Sequence, residues 1–166
     1  MTALSPQRVV LTNPLEQAGQ DVLALMIARP GLATEALRNG IQFPNLHEPV
    51  TLRPEDFGNE TQARLFSILE EHSRDDISAV FSDERVRSLM DQIGALASTG
   101  ERLFSSPDSF KAAWLRLVVL SREKDVRSAK PLDPSVEADM DSEAWMQRYK
   151  ELQNLKEALR SVSPEP

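Results

Sequence analysis

Apolar residues recur at helical spacing through most of the chain. Between Leu15 and Ala28 the positions Ala18, Val22, Leu25 and Met26 step along one helix face, and Leu23 and Ile27 widen that stripe. A stripe so wide predicts a first helix that is mostly buried. Pro30 disfavours helical geometry in the residue before it, which sets the stop near Arg29, and a second short helix is expected from Pro30 to Arg38, until Gly40. Residues 1–14, where Ser5, Pro6, Thr12, Asn13 and Pro14 surround the short run Val9-Val10-Leu11, read as an extended leader. Pro44, Pro49 and Pro54 interrupt the next stretch, which reads as a loop across the surface.

Pro54-Glu55-Asp56-Phe57 has the form of a short turn carrying one buried aromatic. Asn59 then offers an N-cap with Gln62 three residues on, and the helix it opens continues through Ala63, Phe66 and Leu69 to about Ser73. Asp75 to Phe81 fits a further helical turn. Ser82 or Asp83 caps a helix with apolar positions Val86, Leu89, Met90, Ile93, Leu96 and Ala97, closed by Gly100. Ser106-Pro107-Asp108 supplies three consistent start signals: an N-cap, a proline at the first helical position and an acid in the first turn. Phe110, Trp114, Leu117 and Val118 form the apolar half of that helix, whereas Arg122 to Lys130 is charged apart from Val126. Helix over residues 106–130 spans roughly 37 Å, more than a small domain needs, so its far half is expected to project from the body.

Pro131 and Pro134 end this helix. Five acids follow with no base, Asp133, Glu137, Asp139, Asp141 and Glu143, and then Trp145, Tyr149, Leu152, Leu155 or Lys156, and Leu159 step along a last amphipathic helix. Such a helix must bury its stripe, and the projecting end of the preceding helix is the nearest surface, which predicts a two-helix hairpin. The chain therefore divides into a leader (1–14), a helical bundle (15–105), a long connecting helix (106–130), a C-terminal hairpin (131–162) and a polar tail (163–166).

Composition agrees with this layout. The 166 residues suit one domain plus an appendage, and 5% aromatics with 6 glycines favour helix over sheet, so the fold class is all-α. Nineteen basic against 26 acidic residues leave a net charge of −7, which opposes direct nucleic-acid binding over a broad surface. The absence of cysteine excludes disulfides, thiolate zinc sites and cysteine nucleophiles. No run approaches the length of a membrane span and no export signal opens the chain, so a soluble, cytoplasmic monomer is expected.

Catalytic chemistry is hard to assemble from these residues. His47 and His72 lie in different segments, and the alternating acids Asp139, Asp141 and Glu143 fail as a calcium loop because Ala144 and Lys150 stand where glycine and glutamate are needed. Glu70-Glu71 and Asp75-Asp76 are adjacent acids that point in different directions around a helix. No phosphate loop, nucleophile elbow or dinucleotide fingerprint occurs. No catalytic residue, metal or cofactor is expected. Phe57, Phe66, Phe110 and Trp114 read as core, and Trp145 and Tyr149 as the inner face of the hairpin or a direct partner contact.

Three stretches, in this order, resemble a known family. Val22-Leu23-Ala24-Leu25-Met26-Ile27 leads into Arg29-Pro30-Gly31-Leu32-Ala33, Pro54-Glu55-Asp56-Phe57 precedes Arg64-Leu65-Phe66, and Asp141-Ser142-Glu143 leads to Tyr149, Leu152, Gln153 and Leu155. Over residues 16–162 the chain resembles the C-terminal helicase-binding domain of bacterial replicative DNA primase. The resemblance implies a helical bundle joined by a long helix to a C-terminal hairpin that docks on the N-terminal domains of the hexameric replicative helicase, coupling primer synthesis to the fork. It also implies that this chain is non-catalytic, because primer synthesis belongs to the family's zinc-binding and polymerase domains. The partner-binding residues are then Trp145, Tyr149, Leu152, Gln153, Lys156, Leu159 and Arg160, with Gln153, Lys156 and Arg160 on the outer face. In that family the first helix can also bind the acidic tail of single-stranded DNA-binding protein through nearby basic residues, where this chain has Glu16, Gln17, Gly19 and Asp21. The helicase's own N-terminal domain, which has a similar Pro-Glu-Asp-Phe turn, and an unrelated all-α regulatory protein that dimerises through its last helix are the alternatives.

Overall fold

Among the described residues there are six α-helices: α1 (Pro14–Ala28), α2 (Pro30–Asn39), α3 (Glu60–His72), α4 (Met90–Leu103), α5 (Pro107–Ala129) and α6 (Ala138–Val162). Three 3-10 turns, Pro54–Asp56, Ile77–Ser82 and Glu84–Leu89, lie between them. In this computed structural model the described residues are 13–44, 46–129 and 138–162. The fold class is all-α, and among the described residues the only extended pairing is one bridge between Ile41 and Val50. The leader before Asn13, the linker over residues 130–137 and the tail after Val162 lie outside the described residues.

Local chemistry opens the helices where the sequence marks them. The Asn13 side chain accepts hydrogen bonds from the Leu15 and Glu16 amides, so α1 begins at Pro14 and takes in the last residue assigned to the leader. Asn59 caps α3 by accepting from the Gln62 amide at 2.8 Å. Asp83 caps the Glu84–Leu89 turn through the Arg85 amide. That turn is 3-10, so α4 starts only at Met90, a residue that stays 39% exposed instead of joining the apolar stripe.

α1 is the central element, with Val22, Leu23, Leu25 and Met26 all buried, and it packs along α4 on one side and α5 on another. The α1–α4 crossing corrects the reading of Gly100 as a helix stop. The helix continues to Leu103, and Gly100 sits where its missing side chain lets the two backbones meet. A Cβ there would come within 2.7 Å of both the Ala24 carbonyl carbon and the Ala28 Cβ. Gly100→Val should therefore force the helices apart and cost at least ~1–3 kcal/mol. Gly94→Ala, six residues earlier on the same helix with nothing near its absent Cβ, should stabilise by up to about 1 kcal/mol. Thermal melts of the two variants, shifted in opposite directions, check the assignment.

The proline-rich segment also differs from a plain surface loop. Ile41, Phe43, Val50 and Leu52 are buried, and Ile41 and Val50 exchange both backbone hydrogen bonds at 2.9 and 2.8 Å. Gly40, at φ 72°, makes the bend out of α2 that a side chain would strain. The Trp114 indole N–H on α5 donates to the Val50 carbonyl at 3.0 Å, so this segment is tied into the core. Phe57, Phe66, Phe110 and Trp114 all lie in that core, as expected.

Candidate partner-docking surface

α6 packs on the second half of α5. The Trp145 indole donates to the Val126 carbonyl at 2.9 Å, Lys156 Nζ meets Glu123 Oε2 at 3.0 Å, and Leu155 lies near Val118, so the two helices run antiparallel. Val126, Leu152 and Ala158 are buried between them, with Leu155, Leu159 and Val162 partly covered. Trp145 and Tyr149 stack with ring centroids 5.4 Å apart. Trp145 is thus an inner-face residue, whereas Tyr149 remains 40% exposed.

The seven residues expected to touch a partner separate into two groups. Trp145, Leu152 and Leu159 face α5. Lys156 joins them, which corrects its placement on the outer face: positions 152, 156 and 159 share one side of a helix, and the long lysine stem reaches Glu123 from that side. Tyr149 and Arg160 are exposed and Gln153 is half-buried. The surface that α6 turns to solvent also includes Met146, at 47% exposure, together with Arg148, Lys150, Asn154 and Glu157.

The far half of α5 does not simply project from the body. Asp56, fully buried at the end of the Pro54–Asp56 turn, accepts hydrogen bonds from the Arg53 amide (2.9 Å), the Ser121 hydroxyl (2.7 Å) and the guanidinium groups of Arg122 (2.8 Å) and Arg53 (3.2 Å). Burial on its own raises the pKa of this carboxyl, but the Ser121 hydroxyl, the Arg53 amide and the two guanidiniums together hold it below the ordinary value. The group is therefore ionised and fully partnered. Sequence reading missed it because an acid in a proline turn looks solvated, and its partners on α5 lie 65 and 66 residues downstream.

Two clefts flank Arg122 where α6 passes the bundle. One of about 620 Å³ is lined by Arg53, Arg122, Asp125, Arg148, Glu151 and Leu155 among others, and one of about 580 Å³ by the segment around Leu46–Thr51 with Arg122, Glu151, Asn154 and Leu155. Their arginines are interleaved with acids. A third groove of about 440 Å³, between α1, α3 and α4, is lined by Gln20, Leu23, Asn59, Thr61, Gln62, Leu65, Gln92, Ala95, Leu96 and Thr99, none of them charged.

The two histidines take no part in a reactive cluster. His72 Nε2 lies 2.8 Å from Asp83 Oδ2, and Arg85 bridges Asp83 to Glu71, which ties the end of α3 to the Glu84–Leu89 turn. Arg85 and His72 hold the Asp83 carboxyl well below the usual carboxylate range. Among the described residues no group of three or more histidine, cysteine or acidic side chains is placed to hold a metal ion, and no helix is long and apolar enough to cross a membrane. No protein-family model, no curated protein and no solved structure matches this chain.

Proposed function

We propose that the chain is a non-catalytic docking module of a bacterial replicative primase, acting in the cytoplasm, whose outward face of α6 binds the N-terminal domains of the hexameric replicative helicase and so brings primer synthesis to the fork. The single observation that carries this reading is the exposure of α6. An amphipathic helix that packs mainly on one neighbour still leaves Met146 and Tyr149 in solvent, rimmed by Arg148, Lys150, Gln153 and Arg160. Exposed apolar groups with a polar rim are the composition of a partner surface. The element order, bundle then long helix then packed terminal helix, also supports the primase-like reading. An acidic tail of single-stranded DNA-binding protein is less well served, because the groove beside α1 offers it no cation.

Titration calorimetry against the helicase N-terminal domain tests the proposal. The parent chain should bind, and Lys150→Glu with Arg160→Glu should weaken binding most at low salt while leaving the melting temperature within a degree or two, because exposed charges contribute below about 1 kcal/mol to folding. Absence of binding by the parent chain refutes the reading. The same exposed Met146 and Tyr149 favour, as a second reading, a regulatory homodimer through α6. Concentration-dependent sedimentation of the chain alone distinguishes it.

A further inference from the structure

We propose that the cleft between α6 and the segment around Glu48–Thr51 receives an extended peptide of a partner protein, one that adds as a strand to the free edge at Thr51 and carries a lysine or arginine between Glu48 and Glu151. The cleft includes neither Met146 nor Tyr149, so the proposal stands whichever partner the outward face of α6 binds.

The backbone supplies the first argument. Ile41 and Val50 exchange both of their hydrogen bonds, and the Trp114 indole also donates to the Val50 carbonyl. Burial then alternates, with Val50 and Leu52 inside and Thr51 and Arg53 outside, which is the pattern of extended chain. In such chain the peptide groups of neighbouring residues point to opposite sides, so Thr51 directs its N–H and C=O away from Ile41. Among the described residues neither group has a partner. Pro49 has no N–H and closes the edge on one side, and the Arg53 amide is taken by Asp56 on the other. What remains is a short opening suited to strand addition, where main-chain hydrogen bonds give affinity and side-chain contacts give selectivity.

The cleft beside this edge supplies the second argument. Its volume of about 580 Å³ is that of a ligand site, and Val118 and Leu155 give it an apolar side. Arg122, which also lines it, is already bonded to Asp56 at 2.8 Å. Glu48 and Glu151 stand on opposite walls, one on the extended segment and one on α6, both exposed and in no ion pair among the described residues. The charge left open is therefore negative, as is the net −7 of the whole chain, so complementarity selects a basic side chain and rejects an acidic peptide. Aliphatic or β-branched residues at alternate positions of the peptide would rest on Val118 and Leu155.

Selection of random linear peptides displayed on phage against the full chain should enrich sequences in which such residues alternate around a lysine or arginine. A synthetic peptide of the enriched sequence should shift the Thr51 amide resonance in nuclear magnetic resonance spectra of the full chain. Glu48→Lys with Glu151→Lys should weaken its binding roughly tenfold or more while the helical circular dichroism stays unchanged. N-methylation of one alternate set of peptide amides should abolish binding and methylation of the other set should not, because only one set faces the edge. No enrichment, or enrichment of acidic peptides, overturns the proposal. Binding that survives the charge reversal and both methylations overturns it as well, and is what a peptide seated on Met146 and Tyr149 would give. The Thr51 resonance and the methylated pair decide the matter if the charge-reversed variant does not fold.

Discussion

Trp114→Ala should lower the stability of the chain by about 3–5 kcal/mol, a large part of the ~5–15 kcal/mol that holds a domain of this size together. The ring is 1% exposed and stacks on Phe110 with centroids 5.9 Å apart, so its removal leaves a cavity that α5 cannot close without moving away from the bundle. It also removes the indole N–H from the Val50 carbonyl. Trp114→Phe separates these two contributions. It keeps most of the apolar volume, and the Val50 carbonyl retains its bond from the Ile41 amide, so about 1 kcal/mol should be lost. Urea unfolding followed by far-ultraviolet circular dichroism reads both. A loss below about 1 kcal/mol for the alanine variant would show that the proline-rich segment and α5 are held together by something other than this ring.

Ending the chain at Lys130 should leave a folded bundle and abolish binding to the helicase N-terminal domain, a loss of at least roughly 100-fold or about 3 kcal/mol. The bundle aromatics Phe57, Phe66, Phe110 and Trp114 all lie upstream, and α6 packs principally on α5. Its removal uncovers Val126 and takes Lys156 from Glu123, both on the far part of α5, but leaves Asp56 with all its partners. Near-ultraviolet circular dichroism of Trp114 checks the fold, and calorimetry checks the binding. A truncated chain that unfolds at room temperature would make α6 part of the core. One that still binds would move the docking surface onto the bundle.

The helix starts were legible because their chemistry is local. Asn59, Asp83 and Pro107 declare themselves within three residues of the turns they open, whereas Asn13, the cap of α1, was read as part of an extended leader. Gly100 was not legible in this way. Glycine serves both a helix end and a close crossing, and what decides between them here is Ala24 on a distant helix. The alternation of Ile41 with Phe43 and of Val50 with Leu52 was a readable sign of inward-facing extended chain, masked by three prolines that suit an edge segment equally well. On the candidate surface, Trp145, Leu152 and Leu159 of the helical stripe face α5, but Tyr149 of the same stripe stays 40% exposed. Lys156 was read both as an alternative to Leu155 on the stripe and as an outer-face residue, and the structure favours the stripe: a lysine stem packs along an apolar seam while its ammonium finds a carboxylate at the edge.

The burial of α1 bears on how the chain is made. Its wide apolar stripe is covered chiefly by α4 and α5, and the Ala24–Gly100 contact joins positions about 76 residues apart. At translation rates of ~5–20 residues per second, Ala24 leaves the ribosome about 4–15 s before Gly100 on α4, and α5 follows later still. For that interval Val22, Leu23, Leu25 and Met26 lack most of their native cover, since α2 and α3 supply only the smaller share of it. A nascent chain of this design is a natural client for a chaperone that shields apolar helices, and the end of that dependence is timed by the emergence of α4 and α5.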